Sequence, residues 1–186
     1  MEGDAVVTET ALTNQGRGRL PSFYNGFKSL AFSDMYYSYD KIRNGSLKDY
    51  VPDRYETGFL IVNYGREKYG KDFWKDILNE SGRYKSLFYP FSRSLYNKSE
   101  YPTYDFYIMS LRYYNDKWDS LNLKPEQPGL EKFNSVEKND TYTTYNYPYF
   151  DKYGDVIVYK SSYKEIGAFY NINRYGTEIQ ITKQGR

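Results

Sequence analysis

The sequence predicts an α+β fold: a mainly α-helical N-terminal region followed by a small antiparallel β-sheet. Three observations predict it. In Asp53–Gly82 the capping, periodicity and stop signals of a helical hairpin agree. Tyr107, Leu111, Tyr114, Trp118 and Leu121 fall at 0, +4, +7, +11 and +14, the stripe of one long helix. From Thr141 onward, short β-branched and aromatic runs are separated by turns containing Gly.

The segments follow in order. Residues 1–19 are polar and Thr/Gly-rich without periodicity, which predicts a flexible lead. Residues 20–122 are expected to form a helical domain. In it Ser22–Tyr39 carries Phe23, Phe27, Leu30 and Ala31, a helix followed by an aromatic segment. Asp40–Val51 reads as a connection, with Asn44-Gly45 as a turn and Ser46 capping a short turn of helix. Asp53 is an N-cap and Glu56 completes a capping box. Tyr55, Phe59 and Val62 share one face of the helix that follows.

Gly58 and Gly65 lie seven apart inside that helix, where each costs ~1 kcal/mol relative to Ala. The cost predicts a close helix–helix contact at both, with Ser22–Tyr39 or Thr103–Leu121 as the partner. Gly70 stops the helix, and Asp72 caps a second one that carries the pairs Phe73/Ile77 and Trp74/Leu78. Pro90 interrupts the next stretch, leaving Ser92–Tyr96 for a short helix. Residues 123–139 contain Lys124-Pro125 and Gln127-Pro128-Gly129, the composition of a linker. Residues 140–186 are expected to form a four-stranded antiparallel unit. Val156–Tyr159 suits a strand buried on both faces, and Ile179 and Ile181 alternate with polar residues. Four short strands over about 45 residues fit one blade of a β-propeller. One blade cannot bury both faces, so the chain is expected either to be cut short or to pack its sheet on the helices.

Composition limits the function. Mean hydropathy is −0.87, yet 20% of the residues are aromatic and 25 are Tyr. Disordered chains are poor in aromatics, so a folded chain is expected, with Tyr supplying much of the core and each buried hydroxyl needing a partner. A formal charge of +2 with mixed signs argues against a nucleic-acid partner. The chain has no Cys and no His, which removes disulfides, thiolate and imidazole metal sites, and Ser-His or Cys-His catalysis. There is no apolar run long enough for a signal peptide or a membrane span. The compartment is therefore left open.

Candidate binding residues are aromatic. Tyr36 and Tyr37, with Tyr145 and Tyr147 of the Tyr142–Tyr149 run, offer a platform for a glycan or an extended peptide. Core and cross-strand packing accounts for the same residues more simply. Arg93, Arg112 and Lys117 form a basic patch or merely a solvated helix face. Gly65 to Gly70-Lys71-Asp72 echoes a phosphate loop but lacks Ser/Thr after the Lys and a preceding strand.

Two stretches resemble one bacterial envelope family. YPYFDKYGDVIVYKSS and FYNINRYGTEIQITKQG resemble a TolB-type propeller blade, although the usual Ser-Pro-Asp-Gly turn is Asp151-Lys152-Tyr153-Gly154 here. Pro21-Ser22-Phe23-Tyr24-Asn25-Gly26, Ile42-Arg43-Asn44-Gly45-Ser46-Leu47 and Tyr55-Glu56-Thr57-Gly58 through Tyr69-Gly70 resemble the later half of a gluzincin (peptidase MA-like) metallopeptidase domain. The likeness covers roughly 20–78 and 142–185. The HExxH zinc helix of that family is absent, and Asn25 stands where the third ligand, a Glu, is expected. The resemblance therefore implies a degenerate, non-catalytic binding or scaffold module with no cofactor and a protein or peptide partner. It also implies a periplasmic or outer-membrane-associated location. Two alternatives remain: a fragment of a zinc metallopeptidase whose HExxH segment lies upstream, and a Tyr-rich carbohydrate-binding module.

Overall fold

A computed structural model describes residues 2–83, 85, 87–120 and 140–183. Among them are seven α-helices: α1 (Glu2–Leu12), α2 (Asn25–Phe32), α3 (Tyr39–Asn44), α4 (Arg54–Tyr69), α5 (Phe73–Gly82), α6 (Pro90–Ser99) and α7 (Thr103–Ser120). One antiparallel sheet follows, β1 (Thr143–Phe150), β2 (Val156–Ser162), β3 (Ala168–Ile172) and β4 (Glu178–Lys183), in that spatial order. The fold is α+β with an N-terminal helical region. Two compact units divide the chain, Met1–Gly45 with Val51–Pro125, and Ser46–Tyr50 with Glu126–Arg186. Leu121 and the 123–139 linker expected from the sequence lie outside the described residues.

The helical unit is built on α4. The Asp53 carboxylate accepts from the backbone N–H of Tyr55 (2.7 Å) and Glu56 (2.9 Å), and Glu56 accepts from the Asp53 N–H, so the capping box is formed. Gly70, at φ 100°, ends the helix with its N–H on the Arg66 carbonyl. Asp72 makes no side-chain cap to α5.

The expected flexible lead is instead the helix that covers α4. Gly3, Val6, Val7 and Thr10 fall at 0, +3, +4 and +7, and Val6 is fully buried. A Cβ at Gly3 would meet the Gly58 carbonyl carbon at 2.1 Å, so the two backbones touch. Arg54–Glu2 (3.1 Å) and Arg66–Asp4 (2.6 Å) flank this contact. Neither α2 nor α7, the partners expected from the sequence, fills the place at Gly58. Gly65 serves a different purpose: a Cβ there would strike the Trp74 indole at 2.7 Å. The ring of α5 lies on the α4 backbone and its N–H donates to the Val62 carbonyl (2.8 Å).

Three further helices close the core. The α7 stripe is buried as expected at Tyr107, Leu111, Tyr114 and Trp118. Each such side chain contributes ~1.5–3 kcal/mol before ordering entropy opposes it. Tyr107 donates to the Tyr37 carbonyl (3.1 Å), and Tyr114 accepts from the Asn63 amide (2.8 Å), so these buried hydroxyls have partners. α6 begins at Pro90 itself, because a first-turn position needs no N–H. Residues 40–44, expected as part of a connection, lie in α3, which is capped by Ser38 and ended by Gly45 at φ 76°.

The sheet unit is a meander. Val156 pairs with Ile172 and Val158 with Tyr170, placing Val156, Val158 and Ile172 on one buried face with Tyr145 and Tyr170 against them. Glu178 shares that face through its pairing with Ile172, so Ile179 and Ile181 are left exposed. Two turns repeat one device. Asp151 Oδ1 accepts from the N–H of Tyr153 and Asp155, and Asn173 Oδ1 from Tyr175 and Thr177. Gly154 and Gly176 supply the positive φ. Ser46–Tyr50 belongs to this unit rather than to the helical domain expected over 20–122. The Tyr142 N–H donates to the Leu47 carbonyl (2.8 Å), and the Tyr50 and Tyr142 rings meet at 5.7 Å.

Candidate binding cleft

The close approach of α1 to α4 and the Trp74–Gly65 contact leave a partly open cleft of about 430 Å³ in the helical unit. Its walls come from six packed helices: Gly3 and Asp4 of α1, Tyr39 of α3, Ile61, Val62 and Arg66 of α4, Trp74, Lys75 and Leu78 of α5, Phe91 and Leu95 of α6, and Phe106 and Tyr107 of α7. Gly58, Lys71 and Thr103 complete it. The apolar wall is rigidly held. Trp74 lies parallel to Phe91 (6.3 Å, 3°) and edge-on to Phe106 (5.7 Å, 82°), with its N–H on Val62. The volume falls within the range of about 300–1,000 Å³ common for small-molecule sites.

The charged groups sit at the margin. Arg66 Nη2 donates to Asp4, while its buried Nε has no hydrogen-bond partner. Lys71 and Lys75 are exposed, and no carboxylate among the described residues lies within ion-pair distance of either. Among the described residues Asp4 is the sole carboxylate in the lining, which sets three cations, Arg66, Lys71 and Lys75, against one anion.

A second, larger groove of about 680 Å³ is lined by Tyr36, Tyr101, Tyr104, Ile108, Met109, Leu111 and the charged pair Asp105 and Arg112. It includes one of the tyrosines singled out in the sequence. Tyr37 is placed differently: its carbonyl accepts from Tyr107 and its ring lies 4.0 Å from Lys41 Nζ. The other two are in the sheet unit. Tyr145 donates to Glu178 Oε1 (2.8 Å), and Lys160 pairs with the other oxygen of the same carboxylate. Tyr147 is 81% exposed at φ 55°, inside the irregularity that splits β1 between Asn146 and Tyr149. The four tyrosines are thus divided between two units and at least three environments. Asn25 is the exposed first residue of α2.

The basic trio is also dispersed in role. Lys117 is held by Glu67 (2.6 Å), which additionally accepts from Tyr113 and Asn63, tying α7 to α4. Burial raises the Glu67 pKa, but these three hydrogen bonds outweigh it and leave the carboxyl below its ordinary value. Arg112 lines the larger groove. Among the described residues, no group of three or more acidic side chains is placed to hold a metal ion, and no helix is long and apolar enough to cross a membrane.

Sequence reasoning missed the Trp74 cleft because its wall comes from six helices spread along the chain. The signal that pointed toward it was the paired cost of Gly58 and Gly65. No family model matches the chain, and no curated protein or solved structure matches it.

Proposed function

We propose that this chain is a non-catalytic binding module whose helical unit accepts a small, mainly apolar ligand in the Trp74 cleft. The observation that carries the reading is the wall itself: Trp74, Phe91, Phe106 and Leu95 face one partly open space, held by a backbone hydrogen bond and ring packing. The lining carboxylate Asp4 is engaged by Arg66, and the chain has neither His nor Cys, so the cleft offers no imidazole or thiolate for catalysis. The same reading fits a degenerate relative of a gluzincin domain leading into a TolB-like blade.

The test is binding of the neutral dye Nile red, followed by its emission shift. Binding is expected in the parent and lost in Ile61→Trp, which fills the space. No binding by the parent, or turnover of peptide substrates by the purified chain, overturns the reading.

A second reading has its own observation. Tyr36, Tyr101 and Tyr104 share a groove with Asp105 and Arg112, an arrangement of aromatic faces and polar groups suited to a glycan. Glycan-array binding weakened by Tyr104→Ala would support it, and a blank array would remove it.

A further inference from the structure

The Trp74 cleft is apolar inside and cationic at its margin, and the two features call for one kind of ligand. Lys71 lies in the turn before α5 and Lys75 in its first turn, and both are exposed residues of the cleft lining. No carboxylate among the described residues pairs with either within 4 Å, although acids are plentiful in this chain. Arg66, on the adjacent helix, spends Nη2 on Asp4 and keeps a buried Nε–H with no acceptor. A buried donor without a partner is costly, so this wall keeps uncompensated positive character, and an anion at its margin gains charge-assisted hydrogen bonds from the two lysines.

We propose that the cleft binds a monomeric amphipathic carboxylate. The apolar chain lies against Trp74, Phe91 and Phe106, and the carboxylate is held by Lys71 and Lys75, with Arg66 shaping the positive field behind them. The proposal rests on the binding role argued above and narrows it to an anion. A neutral amphiphile gains the wall contacts but leaves the cations uncompensated. A soluble anion without a chain gains only screened surface charge.

The test compares dodecanoate with dodecanol, both below the concentration at which they aggregate, by titration calorimetry on the full chain at neutral pH. Dodecanoate is expected to bind about tenfold or more tightly than dodecanol, the scale of one charge-assisted hydrogen bond. Added salt is expected to weaken dodecanoate alone. The double variant Lys71→Gln/Lys75→Gln is expected to bring the two ligands to equal affinity. Both side chains are exposed, so circular dichroism and melting should match the parent. Equal binding of the two ligands by the parent overturns the anion and leaves the apolar cleft standing. Dodecanoate binding that persists in Ile61→Trp, or a preference for dodecanoate over dodecanol that persists in the double variant, places the site elsewhere and overturns the proposal. Binding of neither ligand removes the cleft's role together with its specificity.

Discussion

A methyl group at Gly3 would lie 2.1 Å from a backbone atom of Gly58, whereas one at Gly82 would meet nothing within 4 Å. Two chemically identical substitutions therefore have opposite outcomes. Gly3→Ala should destabilise by about 1–3 kcal/mol through overpacking, because backbone cannot rotate away. Gly82→Ala should stabilise by about 0.4–1 kcal/mol, because it removes only unfolded-state freedom. Urea denaturation followed at the helix signal measures both. Glu56 offers a pH test. Burial, with Asp53 nearby, pushes its carboxyl up to about 7 against the hydrogen bond from the Asp53 N–H. The folded state thus prefers the neutral acid. Its contribution is full below the ordinary value of 4.5 and is lost as pH rises through about 7. Glu56→Gln keeps an acceptor for the cap but cannot ionise. It should be more stable than the parent above pH of about 7 and indistinguishable from it below 4.5.

At the scale of elements, α4 is fixed at its start by its own sequence and along its length by its neighbours. Asp53→Ala removes the acceptor for two backbone N–H groups and should cost about 1 kcal/mol, measured by thermal unfolding. The α4–α7 junction has a separate dependence on acid. Glu67 is held below 4.5 by Lys117, Tyr113 and Asn63 despite its burial. Its contribution is present above 4.5 and fades as pH falls through its lower folded value. Glu67→Gln should therefore melt below the parent at neutral pH, with the gap closing in acid. α1 shows how an element can be hidden. Its α4-facing side is Gly3, Val6, Val7 and Thr10, and two valines and a glycine in a Thr-rich, acidic segment are too weak a stripe to read as a helix. The helix is held by α4 rather than by its own periodicity. In the sheet, the alternation of Ile179 and Ile181 was visible, but which face is covered was not. Pairing to β3 put Glu178 on the covered face with Tyr145 and Lys160.

Across the whole molecule, Tyr was expected to supply much of the core, but among the described residues only Tyr64, Tyr107 and Tyr114 are buried in it, beside a majority of aliphatic and Phe side chains. Burial raises Tyr24 and Tyr64 to about 12, and Tyr107 and Tyr114 are raised further in the same direction. The neutral phenols are favoured by folding. Their contribution is present below the ordinary value of 10 and is lost as pH climbs toward about 12. Absorbance titration of phenolate should show a delayed class of tyrosines, released together with loss of helix signal. Coincident titration of all tyrosines near 10 would contradict the packed aromatic core.

The sequence by itself determined the α+β class, the capping box of α4, the stop at Gly70, the buried stripe of α7 and the turns at Gly154 and Gly176. Each of these is local: a cap, a period or a positive φ is written within a few residues. Tertiary structure alone decided that α1 covers Gly58, that Trp74 covers Gly65, and that cations from α4 and the α5 approach meet at one apolar wall. Those outcomes depend on which distant surfaces are complementary, and a pairing between residues 3 and 58 leaves no pattern in either segment alone.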